Sequence, residues 1–475
     1  MRGTYSLAAS IALLLLGQHA GLTAQNLLVH GGTVVTSEGS FEADVLVRAG
    51  GIAAVGRDLS AESGVRRIDA SGLLVLPGGV DPHVHLGGRW VDDYRTGSMA
   101  ALAGGITTIS NFASAGRGSD LTEVIDRQAD LIAQQAIADV ILHTTINDPE
   151  AHAPQMGALA ATGQTSIKIF MNFGGFDPNA SAFLQMIAAA GDAGVLTMIH
   201  AEDASILANQ AAKLEAQGRT SVAYQPEARP ALAEEVAMMR AVAMAEQTGS
   251  PVYAVHVSSE RALRVAQAAR ARGLPFFIET RPIYLHLTRE RFDGPDAGLY
   301  VGQPPLREQS DQDALWEALA NGTIDVVGTD HVAYSREDKL DPSQTITNHR
   351  AGMNHLQMLR PLLFSDGVLA GRISVERFVE VTATNPAKLF GIFPEKGTVA
   401  VGSDADLVLW DPEETRTVRD QDMFSATGFS IYAGWEVTGW PVVTLRRGEV
   451  VFEGGEITGQ AGTGRLLERS RWEER

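Results

Sequence analysis

The chain contains no cysteine. Disulfides are excluded, and so are thiolate metal ligands and a thiol nucleophile. Any metal site must use His, Asp, Glu, water or a modified Lys. Positive charge is also scarce: 38 Lys and Arg stand against 57 Asp and Glu, a formal net charge of −19. A surface this acidic repels phosphate backbones and anionic lipid, so nucleic acid and membrane surfaces are poor partners. Long apolar runs are absent as well. The stretch Leu7 to Leu16 falls short of the about 20 apolar residues that span a bilayer.

That stretch has another reading. Arg2 gives a positive start, and Leu22-Thr23-Ala24 offers small residues for cleavage. Residues 1–24 are therefore expected to be a signal peptide, with the mature protein periplasmic or secreted. Without cysteine a lipoprotein anchor is excluded. The remaining chain is long enough for a barrel of about 250 residues plus a smaller partner. Its 45% apolar and 20% charged residues are those of a folded globular protein.

Two textures alternate along it. Short β signals with turn residues between them open the mature chain, as in Ala43 to Val47 and Gly51 to Gly56, and return in Asp406 to Trp410, Val442 to Leu445 and Glu449 to Phe452. One small β domain built from both ends is expected. Between the ends, β-branched runs near 74–82, 105–111, 138–145, 166–171, 195–200, 252–257, 275–279 and 324–330 alternate with helical patterns such as Phe183 to Ala190 and Ala231 to Glu246. Eight β units, each followed by helix, predict an α/β (β/α)8 TIM barrel. An open doubly wound sheet is the rival, but the chemical residues fall at the ends of many strands, where barrels place their sites. The expected divisions are 25–72 and 395–460 for the β-sandwich, 73–394 for the barrel, and 461–475 for a charged tail, helical or loose.

The sharpest chemical signal is Asp81-Pro82-His83-Val84-His85. Alternate strand residues share a face, so His83 and His85 point the same way and can hold one metal. His200 and His256 repeat the position on two other strands, and Asp330 adds a carboxylate at the end of the last. Lys168 lies inside the apolar run Ser166 to Met171. Burial disfavours its ammonium form. Either an ion pair or a carbamate made with carbon dioxide would explain it.

Taken in order, these segments resemble the amidohydrolase superfamily, and within it the hydantoinase/dihydropyrimidinase branch of cyclic amidohydrolases. The resemblance runs through Leu76 to Leu86, Lys168-Ile169-Phe170-Met171, His200-Ala201-Glu202, Val255 to Ser258, Pro304 to Arg307, Gly328-Thr329-Asp330-His331 and Asn385 to Gly391. It implies two divalent metal ions, zinc in the usual case. His83 and His85 would share one with Asp330, His200 and His256 would hold the other, and carboxylated Lys168 would bridge them. It also implies a metal-bridging hydroxide that attacks a cyclic amide (hydantoin, dihydropyrimidine, imide or related ureide), with Asp330 carrying the proton. A homo-oligomer, commonly a tetramer, is implied by the same relatives. Two rival readings keep the resemblance: a deacylase or dipeptidase cutting a linear amide, and a non-catalytic scaffold or binding protein. The scaffold reading expects lost ligands, and all six positions are filled.

The pattern breaks where substrate should sit. The branch's oxyanion-binding Tyr is replaced by Phe173, which has no donor; the neighbouring Asn172 could supply one. Arg281 stands in place of a Cys, and Gln303 in place of a Ser. Asn172, Phe173, Arg281 and Gln303 are therefore the expected substrate contacts. Plain hydantoin or dihydrouracil is expected to be a weaker substrate than a differently substituted ring. His143 is expected at the barrel mouth, and His331 beside the metal site.

Overall fold

The structure, a computed structural model, describes residues 26–60 and 64–472. The expected signal peptide lies outside them. Eight parallel strands form the barrel: β1 Gly79–Asp81, β2 Ile106–Ser114, β3 Asp139–Thr145, β4 Ser166–Phe170, β5 Leu196–His200, β6 Val252–Ala254, β7 Phe276–Thr280 and β8 Val326–Val327. Neighbours in sequence are neighbours in space from β1 to β8. Runs such as Val140-Ile141-Leu142 are buried on both faces, as a parallel sheet covered by helices requires. Val80, Ile141, Met198, Tyr253 and Val326 pack together inside the barrel.

The seam between β8 and β1 closes by side chains and by a short upper ladder. Thr329 donates to both carboxylate oxygens of Asp81, through its N–H at 3.1 Å and its Oγ1 at 2.6 Å. Just beyond, His331–Val332 pairs in parallel with Val84–His85. This closure carries His83, His85 and Asp330 to the same point.

Helices follow the strands as expected. The helix Tyr94–Ala103 starts on a reciprocal cap, in which Asp93 accepts from the Thr96 N–H and Thr96 Oγ1 accepts from the Asp93 N–H. Asp92 turns inward instead. It accepts from His331 at 2.9 Å and from the N–H of Ala426 at 2.7 Å.

The two chain ends build one nine-stranded sheet. The strand expected over 74–82 is divided at Gly78. Leu74–Pro77 joins that sheet, between Leu27–Thr36 and Leu407–Thr417, and only Gly79–Asp81 enters the barrel. A Cβ on Gly78 would lie 2.1 Å from Thr107 Oγ1, so the crossing is possible only for glycine. The tail is neither helical nor loose up to Trp472. Arg465 and Leu467 bond the backbone of Val140, Arg469 donates to Ser166 Oγ and the Leu142 carbonyl, and Trp472 meets Phe277. It closes the base of the barrel.

At the junction of barrel and sheet lies a buried ionic cluster. Lys396 Nζ sits 2.7 Å from Asp139 and 2.9 Å from each of Asp404 and Asp406. Arg447 adds a second cation on Asp139.

Candidate functional site

At the carboxyl ends of the strands a cavity of about 220 Å³ opens. His83, His85, Lys168, Asn172, Phe173, His200, His256, Gln303 and Asp330 all line it, joined by Arg89, Trp90, Phe112 and Phe170. The structure thus gathers every predicted site residue on the cavity wall except Arg281.

Two groups of ligand atoms converge there. Asp330 Oδ1 lies 3.0 Å from His85 Nε2 and 3.3 Å from His83 Nε2. His200 Nδ1 lies 2.9 Å from His256 Nε2. The far nitrogens explain the ring orientations. His83 Nδ1 meets Glu279 Oε1 at 2.7 Å, and His200 Nε2 meets Glu202 Oε2 at 2.8 Å. Each carboxylate requires an N–H there, which leaves a lone pair on the ring nitrogen facing the cavity. Burial and the neighbouring Lys168 push the His83 imidazole well below its ordinary range. Burial and His200 do the same to His256. The rings are therefore neutral at pH 7, the form a metal ligand needs.

The acids behind the rings are themselves held. Glu279 also accepts from the Tyr253 hydroxyl at 2.8 Å and the His256 N–H at 2.9 Å. Burial pushes its carboxyl up to about 7. Glu202 is buried too, but Arg229 beside it holds its carboxyl down at about 2. The sequence analysis names neither acid as a site residue, although Glu202 lies in a segment that carries the resemblance, His200-Ala201-Glu202. A buried acid beside a ligand histidine was the available signal, yet its partner strand is visible only in three dimensions.

Backbone strain falls on the same residues. His256 has φ +44° and Asp330 φ +49°, where a side chain is rarely tolerated. Such a conformation costs of order 1–3 kcal/mol and persists where the surroundings impose it.

Lys168 is fully buried, and burial pushes its ammonium down to about 7. Among the described residues it makes no ion pair. Its Nζ lies 3.5 Å from His83 Nε2 and faces the rings of Phe112 and Phe170 at 5.5 and 5.2 Å. Asp330 and Glu279 act on it through space without contact.

Three expectations need correction. Arg281 does not face the cavity. Its Nε donates to the Thr329 carbonyl at 2.9 Å, and Nη1 lies 3.2 Å from Asp330 Oδ2, so it supports Asp330 from behind. Against the cost of burial, that guanidinium and the two histidines hold the Asp330 carboxyl well below the usual range. His143 lies inside the barrel, between Ser166 Oγ at 2.6 Å and the Pro82 carbonyl at 2.9 Å, and not at the mouth. The strand expected near 166–171 stops at Phe170, so Asn172 lies on the loop that follows β4. Asn172 still lines the cavity, and its Oδ1 is buried without a hydrogen-bond partner. Phe173 is 58% exposed at the rim, and Gln303 Nε2 lies 3.1 Å from His349. His331 bonds Asp92 and the backbone N–H groups of His355 and Leu356, which anchors the seam beside Asp330.

This architecture has known counterparts. The sequence matches the Amidohydrolase family over residues 74–451. It is 35% identical over 462 residues to a D-hydantoinase of Ralstonia pickettii, covering 94% of this chain and all of that one. It is 35% identical to a D-phenylhydantoinase of Escherichia coli, covering 93% of this chain and 98% of the relative. Among solved structures it superposes on a dihydropyrimidinase from Brevibacillus agri with a TM-score of 0.90 at 34% identity, covering 94% of this chain and 99% of that one. With that breadth of match on the same fold, the chain belongs to the amidohydrolase family, in its branch of hydantoinases and dihydropyrimidinases.

Proposed function

We propose that the protein is a hydrolase of cyclic amides (a hydantoin, dihydropyrimidine, imide or related ureide) that works with two divalent metal ions per chain. One observation carries this reading: two histidine sets present neutral, carboxylate-oriented nitrogens to a single cavity. An imidazole that donates its far N–H to a carboxylate is the usual partner of a bound metal. Both His83 and His200 meet that description. His83, His85 and Asp330 would hold one ion, and His200 and His256 the other, with zinc suited to such nitrogen and oxygen donors. When bound, the pair would lower the pKa of water toward neutrality and polarise the scissile carbonyl.

The chain's own groups do the rest. Lys168 has no acid in contact among the described residues, and as a carbamate it would supply the anionic bridge that an ammonium cannot. Forming it joins Nζ to the carbon of carbon dioxide and releases a proton from nitrogen. Asp330, steadied by Arg281 on Oδ2, turns Oδ1 toward the site. There it would take the proton of the attacking water and return it to the departing ring nitrogen. Phe112, Phe170 and Trp90 keep the wall apolar, so charges inside act at short range with little solvent screening. The Asn172 amide, which lines the cavity, would donate to the carbonyl oxygen in place of the donor that Phe173 lacks. Relatives support the substrate class by name: D-hydantoinase, D-phenylhydantoinase and dihydropyrimidinase.

The test is turnover by metal-loaded protein of a panel of hydantoins, dihydropyrimidines, imides and matched linear amides. Ring opening with loss of activity on chelation is expected. Cleavage confined to the linear amides would transfer the same site to a deacylase. We also propose that residues 1–24 direct export and that the enzyme works as a homo-oligomer. Amino-terminal sequencing of native protein and light scattering test these two points.

A further inference from the structure

The cavity wall carries a guanidinium that the catalytic arrangement leaves unused. Arg89 borders both the inner cavity and an adjoining outer one of about 520 Å³, which share Phe173, Gln303 and Ala351 in their walls. The loop bearing it is built for that position. Gly87 and Gly88 have φ of +73° and +63°, a turn that side chains rarely adopt. Hydrogen bonds from the Gly87 N–H to Asp92 O, from Trp90 to Gly87 O and from Val91 to Ala333 O then pin it. The guanidinium carbon lies 5.5 Å from the Trp90 ring centre, and the group makes no ion pair among the described residues.

The charged groups around it are few and none is in contact with it among the described residues. Arg350 also lines the outer cavity; it makes no ion pair in contact among the described residues, and the nearby acid Asp341 feels its charge. The one carboxylate on this rim, Asp338, already accepts from the Ser335 hydroxyl at 2.8 Å. His349, which also lines it, is neutral at pH 7 because burial pushes its imidazole down to about 4. Among the described residues that line the outer cavity, two guanidinium groups thus outnumber one carboxylate, on a chain whose net charge is −19. A neutral side chain on the ring could rest on Trp90 and Phe173, but it would give Arg89 nothing to bind.

We propose that Arg89 selects cyclic amides whose exocyclic side chain ends in a carboxylate, with Arg350 adding to the field at the rim. This rests on the reading that the inner cavity receives a cyclic amide. The ring would occupy the inner cavity, the side chain would pass between Trp90 and Phe173, and the carboxylate would meet the guanidinium fork through paired hydrogen bonds.

The experiment uses two hydantoins identical except that one side chain ends in a free carboxylate and the other in its methyl ester. Wild-type enzyme should prefer the acid, mainly through KM, and the preference should shrink as salt rises. R89Q should reduce the acid-to-ester ratio of kcat/KM by about 10–100-fold, the range for losing a charge-assisted hydrogen-bonded pair. R89K should keep part of it. Efficient opening of the ester with no preference for the acid would overturn the assignment of Arg89 and leave the cyclic-amide reading intact. A preference that survives in R89Q would overturn it as well. Failure to open either ring would count against the cyclic-amide reading and take this inference with it.

Discussion

Two buried clusters of acids and bases sit in this protein, one at each end of the barrel, and they are built on opposite plans. At the base, Lys396 is surrounded by Asp139, Asp404 and Asp406, all within 2.9 Å. Burial would lower its pKa, but three carboxylates more than offset that and raise it. At the mouth, Lys168 is as deeply buried and has no acid in contact, so burial wins. The basal cluster includes its own cation and is complete. The mouth has nitrogen lone pairs and Asp330 Oδ1 aimed at shared space, with the Arg281 guanidinium on the far oxygen, Oδ2. Three clustered carboxylates can look like a metal site, yet here an ammonium fills it. The difference separates a structural ion cluster from a site built to bind.

That contrast can be broken experimentally. The largest expected effect is at the mouth. Asp330→Asn should lower kcat by about 10²–10⁴-fold, the range for losing a general acid/base, while the circular dichroism and melting profile stay close to wild type. A loss under about tenfold would assign the proton transfer to another group. Lys168→Ala should lose metal and activity together, with partial rescue by a short carboxylic acid. Full metal content and rate in that variant would remove the carbamate from the account.

At the base the effect should be on stability instead. Lys396→Met takes the shared cation from Asp404 and Asp406 and leaves Asp139 with Arg447 alone, and it should cost about 3–5 kcal/mol in denaturant unfolding, as when one partner of a buried ion pair is removed. The rate constants of the folded fraction should not change. The cluster also sets a pH dependence. Lys396 and Arg447 hold the Asp139 carboxyl far below its ordinary range. A carboxyl lowered on folding contributes stability that is complete above its unfolded pKa of about 4 and declines as pH falls toward the folded value. Acid unfolding should therefore begin below about pH 4, and Asp139→Asn should flatten that slope. The smallest expected effect is Phe173→Tyr, which should raise turnover of plain hydantoin or dihydrouracil by restoring a donor. Unchanged or lower activity would show that the oxyanion is stabilised without that position.

Both clusters were unequally legible in the sequence. The barrel could be read because short runs rich in apolar and β-branched residues alternate with helical patterns, many of them Ala-rich. The mouth could be read because His83, His85, His200, His256 and Asp330 all stand at strand ends. Lys168 stood out because a lysine within an apolar strand conflicts with its surroundings. The rest depends on tertiary approach. Glu279 and Glu202 matter through histidines on other strands or across a turn. Arg281 sits next to a substituted pocket position, yet its side chain crosses the seam to Asp330. The basal cluster joins Asp139 to residues more than 250 positions later, beyond any local pattern. The docked tail was missed for a related reason: its charges pointed to solvent, but Leu467 and Arg469 are buried under the barrel.

The most direct test of the account is metal content. Protein expressed with zinc should hold two divalent ions per chain by elemental analysis. A His200→Ala, His256→Ala double variant should lose ions, whereas Lys396→Met should keep them. A trace of metal in the wild type under those conditions would contradict the central claim.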